Sequence, residues 1–276
     1  MGTGTEIPWA HHSWNPWQGC HPVSESCSAC YMYRDKKRYG QDPSVVVRSK
    51  PPTFNMPLRE ARKGNWKPGD RVFVCSWSDF FIEEADPWRR EAFDIMRSCP
   101  ELIFMLLTKR IERAKDCIAY DSGLGKGGGA LPANCWLGVT AENQPRWDER
   151  VRELLAIRAA VHFVSVEPML GSMIVNTEVD RYEHEAPGFP GKIDTMVKRR
   201  ALTGWDMGDM GSVDTVDLVI VGGESGPDAR NMDPDWARSV RDQCAAAGVP
   251  FFFKQMSGFN PRRVPIPADL QIREMP

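Results

Sequence analysis

Residues Trp14-Asn15-Pro16-Trp17-Gln18-Gly19-Cys20-His21-Pro22-Val23-Ser24-Glu25-Ser26-Cys27-Ser28-Ala29-Cys30-Tyr31 place three cysteines within eleven residues, spaced C-x6-C-x2-C. Thiolates crowd in this way when they share a metal or a cluster. The two-residue gap lets a tight turn aim Cys27 and Cys30 at one point, and Gly19 and Pro22 shape the loop that brings Cys20 round as a third ligand. A structural zinc usually closes its shell with four ligands, whereas a cluster held by three keeps one iron open. The other five cysteines (Cys75, Cys99, Cys117, Cys135, Cys244) have no C-x-x-C spacing and read as small buried apolar groups. With no secretory signal visible and no run of about 18 apolar residues, a cytoplasmic location is expected. There, clustered cysteines serve metals or catalysis, not disulfides. The apolar fraction of 42% and charged fraction of 26% are those of an ordinary globular protein, and a net charge of −2 selects no partner by itself.

Behind this loop, near-continuous apolar strands alternate with helices. Strands are expected at 71–76, 102–107, 135–139, 161–166, 216–221 and 250–253, with a further one just before Cys20. Helices are expected at 31–39, 87–99, near 110–120, at 145–156 and at 234–247. Such strands imply a parallel sheet covered by helices. The predicted fold class is α/β: one domain over residues 1–276, built as a partial or full TIM-like (β/α) barrel, with an open doubly wound sheet as the alternative. Polar clusters follow the strand ends: Ser76-Trp77-Ser78-Asp79, Thr108-Lys109-Arg110, Thr140 to Gln144, Glu167-Pro168, Gly222 to Gly226, and Lys254-Gln255. In a barrel these ends converge on one face, and the cysteine loop rises onto it. Two connections are long. Asp121 to Asn134 carries Gly-Lys-Gly-Gly-Gly without completing a P-loop, and it leads into a strand, so it reads as a flexible loop on the opposite face. The segment 171–215 has little periodicity and reads equally as a lid over the active face or as a surface elaboration.

A cysteine triad at the top of the first strand of such a barrel resembles the radical S-adenosylmethionine (SAM) superfamily. That resemblance implies a [4Fe–4S] cluster on Cys20, Cys27 and Cys30. The open iron would chelate SAM, and an electron from an external donor would cleave it to a 5′-deoxyadenosyl radical. The usual superfamily spacing is C-x3-C-x2-C; here the first gap is x6, and Tyr31 follows the last cysteine instead of preceding it. A longer series of motifs, from Trp14-Asn15-Pro16-Trp17 through Ser165-Val166-Glu167-Pro168 to Phe253-Lys254-Gln255, looks like a three-cysteine family of bacteria and phages. Members of that family are sometimes encoded beside a three-Cys-motif partner protein.

The resemblance also implies roles. Ser76, Ser78 and Asp79 occupy the position where the superfamily takes the SAM amino group. Gly222, Gly223 and Glu224 repeat the superfamily's Gly-Gly-Glu on a later strand, where the glycines permit close approach. Lys109 and Arg110 suit the SAM carboxylate or a substrate phosphate. Asn143 suits ribose hydroxyls, and Glu142, Glu167 and Lys254 are candidate catalytic groups. A Cys3His zinc site using His11, His12 or His21 is the rival reading of the triad. It would make the chain a zinc-stabilised nucleic-acid-binding module, or an adaptor within a complex. Residues 34–71 carry eleven Lys or Arg against four Asp or Glu, with Tyr39, Phe54 and Trp66 among them. That pattern suits phosphate contacts with base stacking, so a nucleic acid or nucleotide is the expected substrate, modified or repaired by radical chemistry.

Overall fold

A computed structural model describes residues 5–121, 131–185, 193–205 and 215–276. Seven strands form its central sheet: β1 (His12–Trp14), β2 (Arg71–Val74), β3 (Ile103–Thr108), β4 (Cys135–Thr140), β5 (His162–Val166), β6 (Leu218–Gly222) and β7 (Phe251–Gln255). Every neighbouring pair is parallel, and the spatial order is the chain order. A doubly wound sheet reverses its strand order at a switch point. This sheet has no reversal, so the barrel reading holds and the doubly wound alternative falls. Among the described residues β1 and β7 are not paired, which leaves a partial barrel.

Side-chain alternation along each strand divides the core in two. Val72, Val74, Phe104, Leu106, Leu137, Val139, Val164, Val166, Val219 and Val221 belong to one cluster with the helices. Those helices are α2 (Asp86–Arg97), α3 (Ile111–Asp121), α4 (Gln144–Leu154) and α5 (Pro234–Ala247), the last counted after α1 (Tyr31–Arg38) at the cysteine loop. The intervening residues Phe73, Met105, Trp136, Phe163, Leu218, Ile220 and Phe252 form a second cluster closed by Trp9 and Ala10. The Trp9 ring lies 4.6 Å from Phe73 and 6.4 Å from Phe163, on strands three places apart. In a flat sheet those strands would stand about 14 Å apart, so one indole bridges them only because the sheet curls around it.

The segment 171–215, whose sequence has little periodicity, contains an antiparallel pair, Glu178–Glu185 with Ile193–Arg200, extended by Gly204–Trp205. Its strands are rich in charged residues, which hid them from a search for apolar runs. The glycine-rich run after Asp121 lies outside the described residues. All five unclustered cysteines are buried, as expected of small apolar groups. Among the described residues no helix is long and apolar enough to cross a membrane.

One inner position tests the curl. A Cβ on Gly138 would meet the Phe163 ring at 2.5 Å, whereas one on Gly171 would meet nothing within 4 Å. Gly138→Ala should therefore lower unfolding stability in urea by about 1–3 kcal/mol, and Gly171→Ala should change it by less than about 0.5 kcal/mol.

Candidate functional site

The C-terminal strand ends surround a cavity of about 1350 Å³. Cys20, Cys27 and Cys30 line it, all half-buried and free of disulfides. Gly19 and the 3-10 turn Glu25–Ala29 shape the loop, and Cys30 is the N-cap of α1. Gly19 has φ +100°, and a Cβ there would collide with the Val45 carbonyl, so the tight turn admits no side chain.

The Trp-Asn-Pro-Trp motif anchors this loop from behind. Trp14 and Trp17 are fully buried, and their indole N–H groups donate to the carbonyls of Phe54 (3.0 Å) and Asp79 (3.1 Å). Asn15 accepts from the Trp77 backbone N–H at 2.9 Å and pairs with the Ser76 hydroxyl. Ser78 Oγ donates to the Gly19 carbonyl at 2.6 Å. Cys75 makes this arrangement reachable. Its φ of +63° is uncommon for a residue other than glycine and turns the chain sharply at the end of β2. Ser76 and Ser78 thus hold the loop in place, besides lining the cavity.

Asp79 is buried and fully engaged. Its carboxylate accepts from Thr108 Oγ1 (2.7 Å), Lys109 N (2.9 Å) and Phe81 N (3.0 Å), and pairs with Arg110 at 3.4 Å. Arg110 in turn donates to the His21 carbonyl at 2.8 Å and to Cys20 Sγ at 3.6 Å. Burial, reinforced by the Asp79 charge, pushes the Cys20 thiol up to about 11 against the opposing pull of Arg110. Burial also raises Cys30. Burial raises the Tyr33 phenol, and the charges of Cys20, Cys27 and Cys30 raise it further. Lys109 lines the same cavity; no hydrogen bond or ion pair engages its ammonium among the described residues.

The histidines are occupied elsewhere. His11 and His12 sit at the start of β1, the opposite end of the sheet, where His12 bonds Asp70 at 2.8 Å. His21 pairs with Glu84 at 2.7 Å. Among the described residues no three His, Cys, Asp or Glu side chains are arranged to hold a single metal ion. Tetrahedral zinc needs its sulfurs within about 3.8 Å of one another, while a four-iron cluster spreads three cysteines over separate corners. Three free, half-buried thiols are the kind of donor set that a cluster held by three cysteines would use.

Glu167 and Lys254 form an ion pair on the cavity wall, with Gly222 leaving room for it: a Cβ there would lie 3.3 Å from the Glu167 carboxyl carbon. Gly223 packs directly against the Ser257 backbone. Glu224 also borders the cavity, but Arg230 grips its carboxylate twice, at 2.6 and 2.9 Å. Glu142 and Asn143 are not on the cavity wall. Asn143 caps α4 by accepting from Arg146 N. Glu142, fully buried, accepts from Ser26 at 3.0 Å and pairs with Arg150 at 3.0 Å. Burial works against its charge, but the Ser24 hydroxyl and Arg150 more than offset this and hold its pKa below the usual carboxylate range.

The basic segment 34–71 divides differently from its sequence pattern. Phe54 and Trp66 are core residues and offer no stacking surface. Arg48 and Arg59 are paired with Glu91 and Glu60. Only Arg34, Asp35 and Arg38 of its charged residues reach the cavity. Further lining comes from a part of the chain to which the sequence assigned no role: Phe259, Asn260, Pro261, Arg262 and Arg273, beyond the last strand. An Asn-Pro-Arg-Arg run after an apolar strand was the available signal.

Removing the buried tether is costly. Glu142→Ala should cost about 3–5 kcal/mol by leaving Arg150 uncompensated, whereas Glu167→Ala on the cavity wall should cost about 1 kcal/mol or less. Because the native pKa of Glu142 is depressed, its contribution is complete above the unfolded value of about 4.3 and is lost as pH falls through the native value. Urea titrations of both variants at neutral and acid pH check this.

Three solved structures of spore photoproduct lyase match the chain. A variant enzyme is 12% identical (TM-score 0.45, covering 61% of this chain and 48% of that one). A complex with AdoMet and dinucleoside spore photoproduct is also 12% identical (TM-score 0.43, 58% and 46%). A complex with the dinucleoside spore photoproduct is 9% identical (TM-score 0.47, 88% and 63%). The chain thus spans between about half and under two thirds of those proteins' length. No curated protein matches it. The sequence profile of one family matches residues 4–273, nearly the whole chain, and the chain belongs to that family, described as a protein of unknown function (DUF5131).

Proposed function

We propose that this protein is an enzyme of the radical SAM type, with a [4Fe–4S] cluster on Cys20, Cys27 and Cys30 and SAM in the adjoining cavity. The observation that carries this reading is that three free, half-buried thiols line one cavity at the C-terminal end of a parallel half-barrel. When bound, the cluster and SAM would supply one-electron reductive cleavage of a sulfonium, which starts hydrogen abstraction from an unreactive carbon.

The chain's own side chains then have distinct tasks. Arg110, oriented by Asp79, places a buried cation beside the Cys20 sulfur and offsets the negative charge of the thiolates. Lys109 offers an unpaired ammonium to the SAM carboxylate. Glu167 and Lys254 present a carboxylate and an ammonium across the cavity, suited to binding ribose or substrate hydroxyls and to holding a proton between them. Ser76, Ser78, Asp79, Glu142, Asn143 and Glu224 act through the backbone and loops that they brace. The electron comes from an external donor.

Anaerobic reconstitution with iron and sulfide, followed by SAM and dithionite, should yield 5′-deoxyadenosine. Cys27→Ala should abolish both iron–sulfur absorbance and product, whereas Cys117→Ala, on the buried face of α3, should keep both. Stoichiometric zinc without iron–sulfur absorbance would overturn the proposal.

A further inference from the structure

The cavity is larger than SAM alone requires. Sites for small ligands and cofactors commonly measure about 300–1,000 Å³, and this one measures about 1350 Å³. Its charged lining is also unevenly compensated. Asp79 is paired with Arg110, Glu167 with Lys254, Glu224 with Arg230, and Glu6 with Arg262. Of the lining charges, that leaves Arg34, Arg38, Lys109 and Arg273 against Asp35 alone, with no ion pair joining them among the described residues.

Three of these cations stand at the rim. Arg34 and Arg38 are exposed on α1, and Arg273 is exposed on the C-terminal segment. Phe259, 78% exposed and the most exposed of the large hydrophobic side chains described, lines the same cavity. Tyr39, 69% exposed, directly follows Arg38. An exposed ring and exposed guanidinium groups without carboxylate partners, lining one cavity, are suited to a planar base attached to phosphates. An acidic peptide would satisfy the arginines but would give the ring nothing to stack upon.

We propose that this rim, formed by Arg34, Arg38, Phe259 and Arg273, receives a single-stranded or locally unpaired nucleic acid, its phosphates on the arginines and a base on Phe259. The site is distinct from the aromatic residues of the basic segment, two of which are core. The proposal rests on the cavity being the catalytic one, but binding at the rim requires neither cluster nor SAM.

The test uses the full-length chain as purified and a labelled oligothymidylate of about 12 nucleotides, followed by fluorescence anisotropy. Binding should weaken about 20-fold between about 50 and 200 mM salt, as expected for about three phosphate contacts on a single strand. Phe259→Ala should weaken it at least about fivefold without changing the salt slope. Arg38→Gln combined with Arg273→Gln should reduce the slope by about 1.4. These side chains are exposed, so circular dichroism should show an unchanged fold. Full affinity in Phe259→Ala, equal competition by polyglutamate, or no binding at the lower salt would each overturn the proposal. Cys27→Ala should bind the oligonucleotide normally. Binding retained without SAM cleavage would sink the radical reading alone, and SAM cleavage without binding would sink this one alone.

Discussion

From Gly19 to Cys30 the chain has little regular structure beyond the Glu25–Ala29 turn to satisfy its backbone, so side chains from the strand ends help to do it. Ser78 donates to the Gly19 carbonyl, Tyr33 to Cys20, Arg110 to His21, and Arg230 to Glu25. These donors come from the end of β2, from α1, from the end of β3 and from the turn after β6. A carbonyl withdrawn from water and left alone would cost about 1–3 kcal/mol, so the part-buried carbonyls of Gly19, Cys20 and His21 favour this loop path only where their donors lie within reach. The curl of the sheet provides that reach. The position of the three thiols is therefore a property of the whole half-barrel, not of the C-x6-C-x2-C segment by itself.

The strand ends consequently contain two kinds of polar residue. Asp79, Glu142, Asn143 and Glu224 have their side-chain oxygens filled by neighbours and hold geometry. Lys109, Glu167 and Lys254 face open cavity. Both kinds look alike as letters after an apolar run. The distinction depends on whether a partner such as Arg110, Arg150 or Arg230 arrives from a distant element.

This explains what was legible beforehand. The strands β2 to β7 announce themselves because a strand buried on both faces must be apolar throughout, and the helices between them because one stripe must be. The strand order could not be read, since an α/β alternation serves both barrels and doubly wound sheets; Trp9, set between Phe73 and Phe163, reveals the curl only in three dimensions. The hairpin at 178–200 was hidden by its charged strands. Phe54 and Trp66 were misread because a basic neighbourhood in sequence need not be one in space: each ring turns into the core while its charged neighbours turn outward.

Gly226 has a φ of +118°, and the Arg34 guanidinium occupies the place that its Cβ would take, with NH1 reaching the Ser225 carbonyl at 3.4 Å. Cys30 caps the helix that carries Arg34, one turn away. The last thiol is thus latched across the unclosed seam of the barrel to the turn after β6. Among the described residues no hydrogen bonds pair β1 with β7, and this contact ties α1 to the turn after β6 instead. A side chain at position 226 would take the space of the Arg34 guanidinium, so the exposed arginine would have to swing aside and give up the Ser225 carbonyl, loosening the tie between α1 and this turn without touching a single cysteine.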